Sequence, residues 1–146
     1  MNSTLKLSLR ANEKIYINGA VIKVDRKATI ELLNDVQFLL DSHVIQPEDA
    51  STPLKQLYFI VQVMLMNPQG AAEALVMFRR SLDLLLASFD DTQILNALKH
   101  IDQLVNEGKI YEALKAIRSL YPAERRILQG GQIATEASLP LAVGAQ

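Results

Sequence analysis

The sequence contains no cysteine, which excludes disulfide bridges and thiolate chemistry and leaves a reducing compartment open to it. It has only 2 histidines, His43 and His100. His43 follows Asp41-Ser42 in an expected turn and His100 adjoins Lys99 on an expected helix face. With no nucleophile for either to activate, both read as solvated or hydrogen-bonded side chains. There is no glycine-rich phosphate loop, no H-E-x-x-H and no G-x-S-x-G. No catalytic residue, cofactor or metal site is expected, and the chain does not read as an enzyme. Long apolar runs are missing too. No segment approaches the roughly 20 residues that cross a bilayer. The alternating N-terminus, MNSTLKLSLRANEKIYING, lacks the apolar core of a signal peptide. The expectation is a cytoplasmic protein with no membrane association.

What the chain does have is organised around Pro53–Met66, PLKQLYFIVQVMLM, whose only polar side chain from Leu57 onward is Gln62. A helix with no polar face is buried on every side. Thr52 supplies an N-cap oxygen, Pro53 suits the first helical position, and Asn67-Pro68 stops the helix. The connector before it, Gln46–Ser51, carries Glu48 and Asp49, which suit the positive end of the helix dipole.

Ahead of this helix the pattern has period two. Leu5, Leu7 and Leu9 alternate with Lys6, Ser8 and Arg10, and Ile15 and Ile17 alternate with Lys14 and Tyr16. Asn18-Gly19 is a hairpin signal that returns the chain along Ala20–Val24. Ala28–Leu33 and Val36–Leu40 are further strands, with His43–Ile45 as a short last one. Consecutive strands this close predict an antiparallel meander. After the central helix the period changes. Leu75, Phe78, Leu82, Leu85 and Phe89 mark a helix over Ala71–Ser88. Asp90 or Asp91 caps a third helix through Asn106, with Gly108 as its left-handed C-terminal stop. A fourth runs over Ile110–Leu120, ended by Pro122, with one more turn at Glu124–Leu128. The predicted class is α+β: a β lobe over residues 1–46 packed on a helical lobe of about four helices over 47–128, followed by a flexible tail over 129–146.

Net charge is −1, but it is unevenly placed. Residues 1–30 hold six cations against two anions, and residues 31–78 one cation against six anions. With the leucines and isoleucines of the first strands turned inward, Lys6, Arg10, Lys14, Tyr16 and Lys23 share the outer face. Cations track phosphates and a ring stacks on an unpaired base, so these five are the candidate RNA-binding residues. The competing reading is a solvated sheet face with lysines guarding its edges. Near-continuous apolar runs at Val76-Met77-Phe78 and Leu84-Leu85-Leu86 exceed what a small helical lobe readily hides, so either the strand lobe covers them or another chain does, and self-association is the simpler expectation.

The stretches LKLSLRANEKIYINGAVIKVDRKATIELLNDVQFLL, HVIQPEDASTPLKQLYFIVQVMLMNP, MFRRSLDLLLASF and YEALKAIRSLYPAERRIL resemble the FlbT family of flagellum biosynthesis regulators over residues 4–128. The resemblance implies a post-transcriptional regulator that acts at the 5′ untranslated region of flagellin mRNA. Such a regulator lowers translation and stability of that message, with a positive effect reported for some members. The partners it implies are the flagellin mRNA leader and, if the effect on mRNA is indirect, flagellin or another flagellar regulator. In that second reading the chain is a chaperone-like interaction module. The first hairpin also loosely resembles that of the small carbon-storage-regulator RNA-binding proteins, with Asn12, which tolerates positive φ, where that pattern has glycine.

Overall fold

The computed structural model describes residues 5–134. Strands occupy the chain as far as Leu40 and helices occupy most of the rest: β1 (Leu5–Leu9), β2 (Lys14–Ile17), β3 (Ala20–Lys23), β4 (Ala28–Leu32) and β5 (Phe38–Leu40), then α1 (Pro53–Met66), α2 (Ala71–Ser88), α3 (Thr92–Asn106), α4 (Ile110–Arg118) and α5 (Tyr121–Ala134). The α+β class and the antiparallel strands are as the residue pattern predicts.

The order of pairing is not that of a simple meander. Only β2 and β3 form a tight hairpin, turning at Asn18 and Gly19 with φ of 48° and 88°. β1 pairs with β4, Leu7 opposite Ile30, and β5 lies on the free side of β2, Leu39 opposite Tyr16. Two sheets result, β1-β4 and β3-β2-β5. The reason is burial. Leu7 and Leu9, Ile15 and Ile17, Ile30 and Leu32, and Phe38 and Leu40 form one cluster between the sheets, so each sheet covers the apolar face of the other. Asn12 takes φ 67° in the turn after β1, the conformation its short amide tolerates.

The expected strand at His43–Ile45 is absent. Asp41–His43 is a 3₁₀ turn, and both backbone groups of Ile45 are satisfied by one side chain. The Ile45 N–H donates to Gln62 Oε1 and Gln62 Nε2 donates to the Ile45 carbonyl, each at 2.8 Å. The one polar residue in the apolar stretch of α1 thus stands in for a neighbouring strand. It is 4% exposed and, being fully paired, costs the core little.

No residue of α1 is exposed. Leu54, Leu57, Tyr58 and Val61 are sealed from solvent among Phe78, Leu98, Leu114 and Ile117 of the surrounding helices, and Leu39 of β5 joins the same core. The caps are those the sequence offers. Lys55 N–H donates to Thr52 Oγ1 at 3.2 Å, Ile94 N–H donates to Asp91 Oδ1 at 3.0 Å, and Gly108 takes φ 76°. Pro122, expected only to end the fourth helix, also helps to start the next one. It sits in the first turn of α5, where its missing N–H is harmless, and α5 runs on to Ala134. Residues 129–134, expected to begin the flexible tail, are therefore helical; residues 135–146 lie outside the described residues.

Three ties join the lobes. Tyr111 N–H, at the start of α4, donates to Gln37 Oε1 at 2.7 Å, beside Phe38 and Tyr111 rings stacked at 4.4 Å. The hairpin turn rests on the α1–α2 connection: a Cβ added to Gly19 would stand 3.2 Å from the Pro68 ring. The Tyr58 hydroxyl of α1 donates to the His43 carbonyl at 2.6 Å and accepts from Arg118 Nη1 at 3.1 Å.

Candidate nucleic-acid interface

The five residues picked from the sequence do not form one face. Lys6 lies on the outer side of the β1-β4 sheet, opposite Glu31, which offsets its charge. Lys14, Tyr16 and Lys23 share a face of the other sheet, but that face is the one turned toward the helices. Tyr16 is half-buried there and packs on the helical core beside Leu39. The side chains alternate along the strands as the period-two pattern predicts. What it could not give was the division into two sheets, which sends the outward residues of β1 and of β2 to opposite sides of the strand core.

Three of the five do meet at one end. Asn12 N–H donates to the Val24 carbonyl at 2.7 Å, and Val24 N–H to the Glu13 carbonyl at 3.2 Å. These bonds extend the β2–β3 ladder into the turn after β1, so Arg10 arrives beside the end of the ladder where Lys14 stands directly opposite Lys23. The next turn, Asp25 to Lys27, adds Arg26 and Lys27, which the outer-face argument missed because they lie outside any strand. The charge count over residues 1–30 already includes both, and only the restriction to strand faces leaves them out. The resulting end holds Arg10, Lys14, Lys23, Arg26 and Lys27 against Glu13 and Asp25. Glu13 is occupied locally: its carboxylate accepts from Arg10 N–H at 2.8 Å and lies 3.9 Å from the guanidinium. Asp25 faces Arg26 at 3.5 Å. Lys14, Lys23 and Lys27 form no ion pair with another described residue. Like charges directly opposite on paired strands repel, so the Lys14–Lys23 pair costs stability unless an anion sits between them.

The buried polar groups elsewhere serve the fold. Glu124 of α5, 2% exposed, accepts from the Thr52 hydroxyl at 2.6 Å and from Leu54 N–H at 2.7 Å, completing the N-terminus of α1. Burial holds its carboxyl above the usual carboxylate range, and these two bonds offset part of that shift. Burial likewise lowers the His43 imidazole, with Arg118 adding to the effect. Burial also pushes the Tyr121 hydroxyl up; that oxygen has no hydrogen-bond partner, and Lys55 lies 5.6 Å from the ring. Both oxygens of Glu124 are engaged, so this cluster is a cap and not a proton-transfer site. Among the described residues no three His, Asp or Glu side chains are grouped to hold a metal ion, and no helix is long and apolar enough to cross a membrane.

No solved structure matches the chain. A probable flagellum biosynthesis repressor protein FlbT of Mesorhizobium japonicum is 70% identical over 146 residues, covering 100% of this chain and 99% of that one. A protein of the same name from Chelativorans sp. is 61% identical over 144 residues, 99% of each chain. Another from Agrobacterium fabrum is 55% identical over 133 residues, 91% of this chain and 89% of its own. The model of the flagellar protein FlbT family matches residues 5–128, from the first residue of β1 into α5 and so across both lobes. With all the strands, the central helix and the capping Glu124 inside that match, the chain belongs to the FlbT family.

Proposed function

We propose that the chain regulates flagellin synthesis after transcription, by binding the 5′ untranslated region of flagellin mRNA through the basic end of the β lobe. Membership of a family whose relatives are named flagellum biosynthesis repressors makes it a regulator of flagellar synthesis. The message-level mechanism is the finer step. In it the bound protein lowers translation or stability of the flagellin message without any catalysis of its own, and the work is cytoplasmic. The observation that carries it is the Lys14–Lys23 opposition. Two exposed lysines at directly opposed positions on paired strands, with Arg10, Arg26 and Lys27 in the adjoining turns, form a cationic end that phosphate would relieve. Tyr16 is engaged by the helical core, so phosphate contact and not base stacking is the main source of affinity here.

A second reading rests on the helices. Val76, Met77 and Leu84 are each more than half exposed on α2, so a flagellin-directed, chaperone-like module acting on mRNA indirectly has an apolar surface to use. One experiment separates the two: binding of the purified protein to the flagellin leader RNA and to flagellin, side by side. Direct RNA binding must weaken with salt, and Arg10, Lys14 and Lys23 changed together to Ala should reduce the slope by roughly 0.7 per lost contact. Flagellin binding with no salt-sensitive RNA binding would favour the second reading.

A further inference from the structure

The exposed side of α2 has an internal symmetry that the regulatory reading does not use. Glu73, Val76, Met77, Arg80 and Leu84 recur at three- and four-residue steps and so line one stripe of the helix. All five are exposed, Val76 at 58%, Met77 at 53% and Leu84 at 56%. Glu73 and Arg80 form no ion pair among the described residues, although Arg79, one position away, is paired with Asp102. The stripe is flanked by a groove between α1 and α2, where Phe59, Ile60 and Val63 of α1 are only half-buried beside Met77. Scattered exposed apolar residues need no explanation, but a contiguous helical stripe next to an apolar groove does.

We infer that this stripe is a two-fold interface with a second copy of the chain, in which the two α2 helices cross antiparallel about the Val76–Met77 midpoint. The argument is one of register. In an antiparallel pair related by a two-fold axis, residues equidistant from the axis oppose each other. With the axis between Val76 and Met77, Val76 of each copy meets Met77 of the other. Glu73 and Arg80 are equidistant from the same point, so Glu73 of each copy meets Arg80 of the other, twice over. Leu84 of each copy reaches position 69 of the other, in the Pro68–Gly70 turn just before α2, beside the groove lined by Phe59, Ile60 and Val63. One registry thus covers the three apolar side chains of the stripe and pairs its two charges. A foreign helix would need the same acid-apolar-apolar-base order; a second copy supplies it by construction. The interface lies on the helical lobe and does not depend on RNA binding by the β lobe.

The test uses charge exchange on the whole chain, read by sedimentation velocity over a concentration series into the high micromolar range. Wild type should dimerise. Glu73→Arg alone sets Arg against Arg80, and Arg80→Glu alone sets Glu against Glu73. Each turns two attractive pairs into two repulsive ones and should weaken self-association by roughly tenfold. Mixed in equal amounts, the two variants should recover dimer as a heterodimer, because each then offers the other the opposite charge at both positions. Met77→Asp should be monomeric with an unchanged circular dichroism spectrum, since the residue is exposed in the single chain. A monomeric wild type overturns the proposal. So does failure of the mixture to recover dimer, since loss without complementation means that the pairs do not meet. If the Met77→Asp chain loses flagellin binding while wild type stays monomeric, the stripe belongs to a different partner and the inference is wrong.

Discussion

Among the described residues, the β lobe closes over three buried apolar side chains of its own, Leu9, Ile15 and Phe38, while the helical lobe packs a continuous core from Leu54 to Ala123. The contrast continues at the surface. Val21, Ile22, Leu33 and Leu5 stay exposed in the β lobe, and its paired strands place Lys14 against Lys23. A thin core cannot absorb much strain, so the β lobe is held up by what it borrows: Leu39 and Tyr16 lie in the helical core, and Gln37 and Phe38 lean on Tyr111. The division of labour is that helices supply stability and strands display charge.

The largest effect that tests this division is at the centre of α1. Val61 is fully buried, and Val61→Asp places an unpaired charge there, so neither lobe should fold. A soluble Val61→Asp protein with native circular dichroism would break the comparison at once. Next comes native-state amide exchange. Protection in α1, α3 and α4 should reach the global unfolding free energy, and that of β1 and β4 should fall well short of it. Equal protection would mean that the strands are not the weaker partner. Leu98→Ala, in the sealed face of α3, should cost about 2–5 kcal/mol in denaturant unfolding and should lower the stability of the strands with it.

A smaller effect concerns pH. Because burial raises the Glu124 carboxyl, the folded state holds its proton more tightly than the unfolded chain does. The contribution of this group is complete below the ordinary carboxylate range and is lost as pH rises through the raised folded value. Stability measured across that window should decline for wild type and decline less for Glu124→Gln, whose amide can still accept from Leu54 N–H. An identical pH profile for both chains would remove Glu124 as the source. The smallest change in stability is expected where the change in function is largest. Arg10, Lys14 and Lys23 changed together to Ala should leave the unfolding free energy within about 0.5 kcal/mol, or raise it by relieving the Lys14–Lys23 repulsion, while weakening RNA binding.

The helical lobe was the more legible in the sequence. Its boundaries follow from groups that act locally: Thr52 and Pro53 at one end of α1, Asn67-Pro68 at the other, Asp91 before α3 and Gly108 after it. The apolar circumference of α1 announced its burial. What failed were inferences that needed long-range pairing. Ile45 looks like a strand residue because its backbone bonds are made to Gln62, on a different element. The β1-β4 pair joins residues 19 to 27 positions apart, and no local pattern distinguishes it from a meander. The candidate interface suffered for the same reason, since face assignment depends on which sheet each strand joins. Pro122 was ambiguous in another way: the residue that stops one helix is also suited to start the next.

The cap on α1 comes from far along the chain. Thr52 and Leu54 are made early, and the Glu124 carboxylate that completes their hydrogen bonding follows 70 positions after Leu54. The start of α4, which Gln37 finishes, is likewise 74 positions after Gln37. On a ribosome the strands and the central helix therefore emerge before the groups that settle them. These hydrogen bonds in the first half of the protein cannot be completed until the second half has been made. A chain interrupted before α5 would leave the apolar α1 with an unfinished end and an incomplete cover.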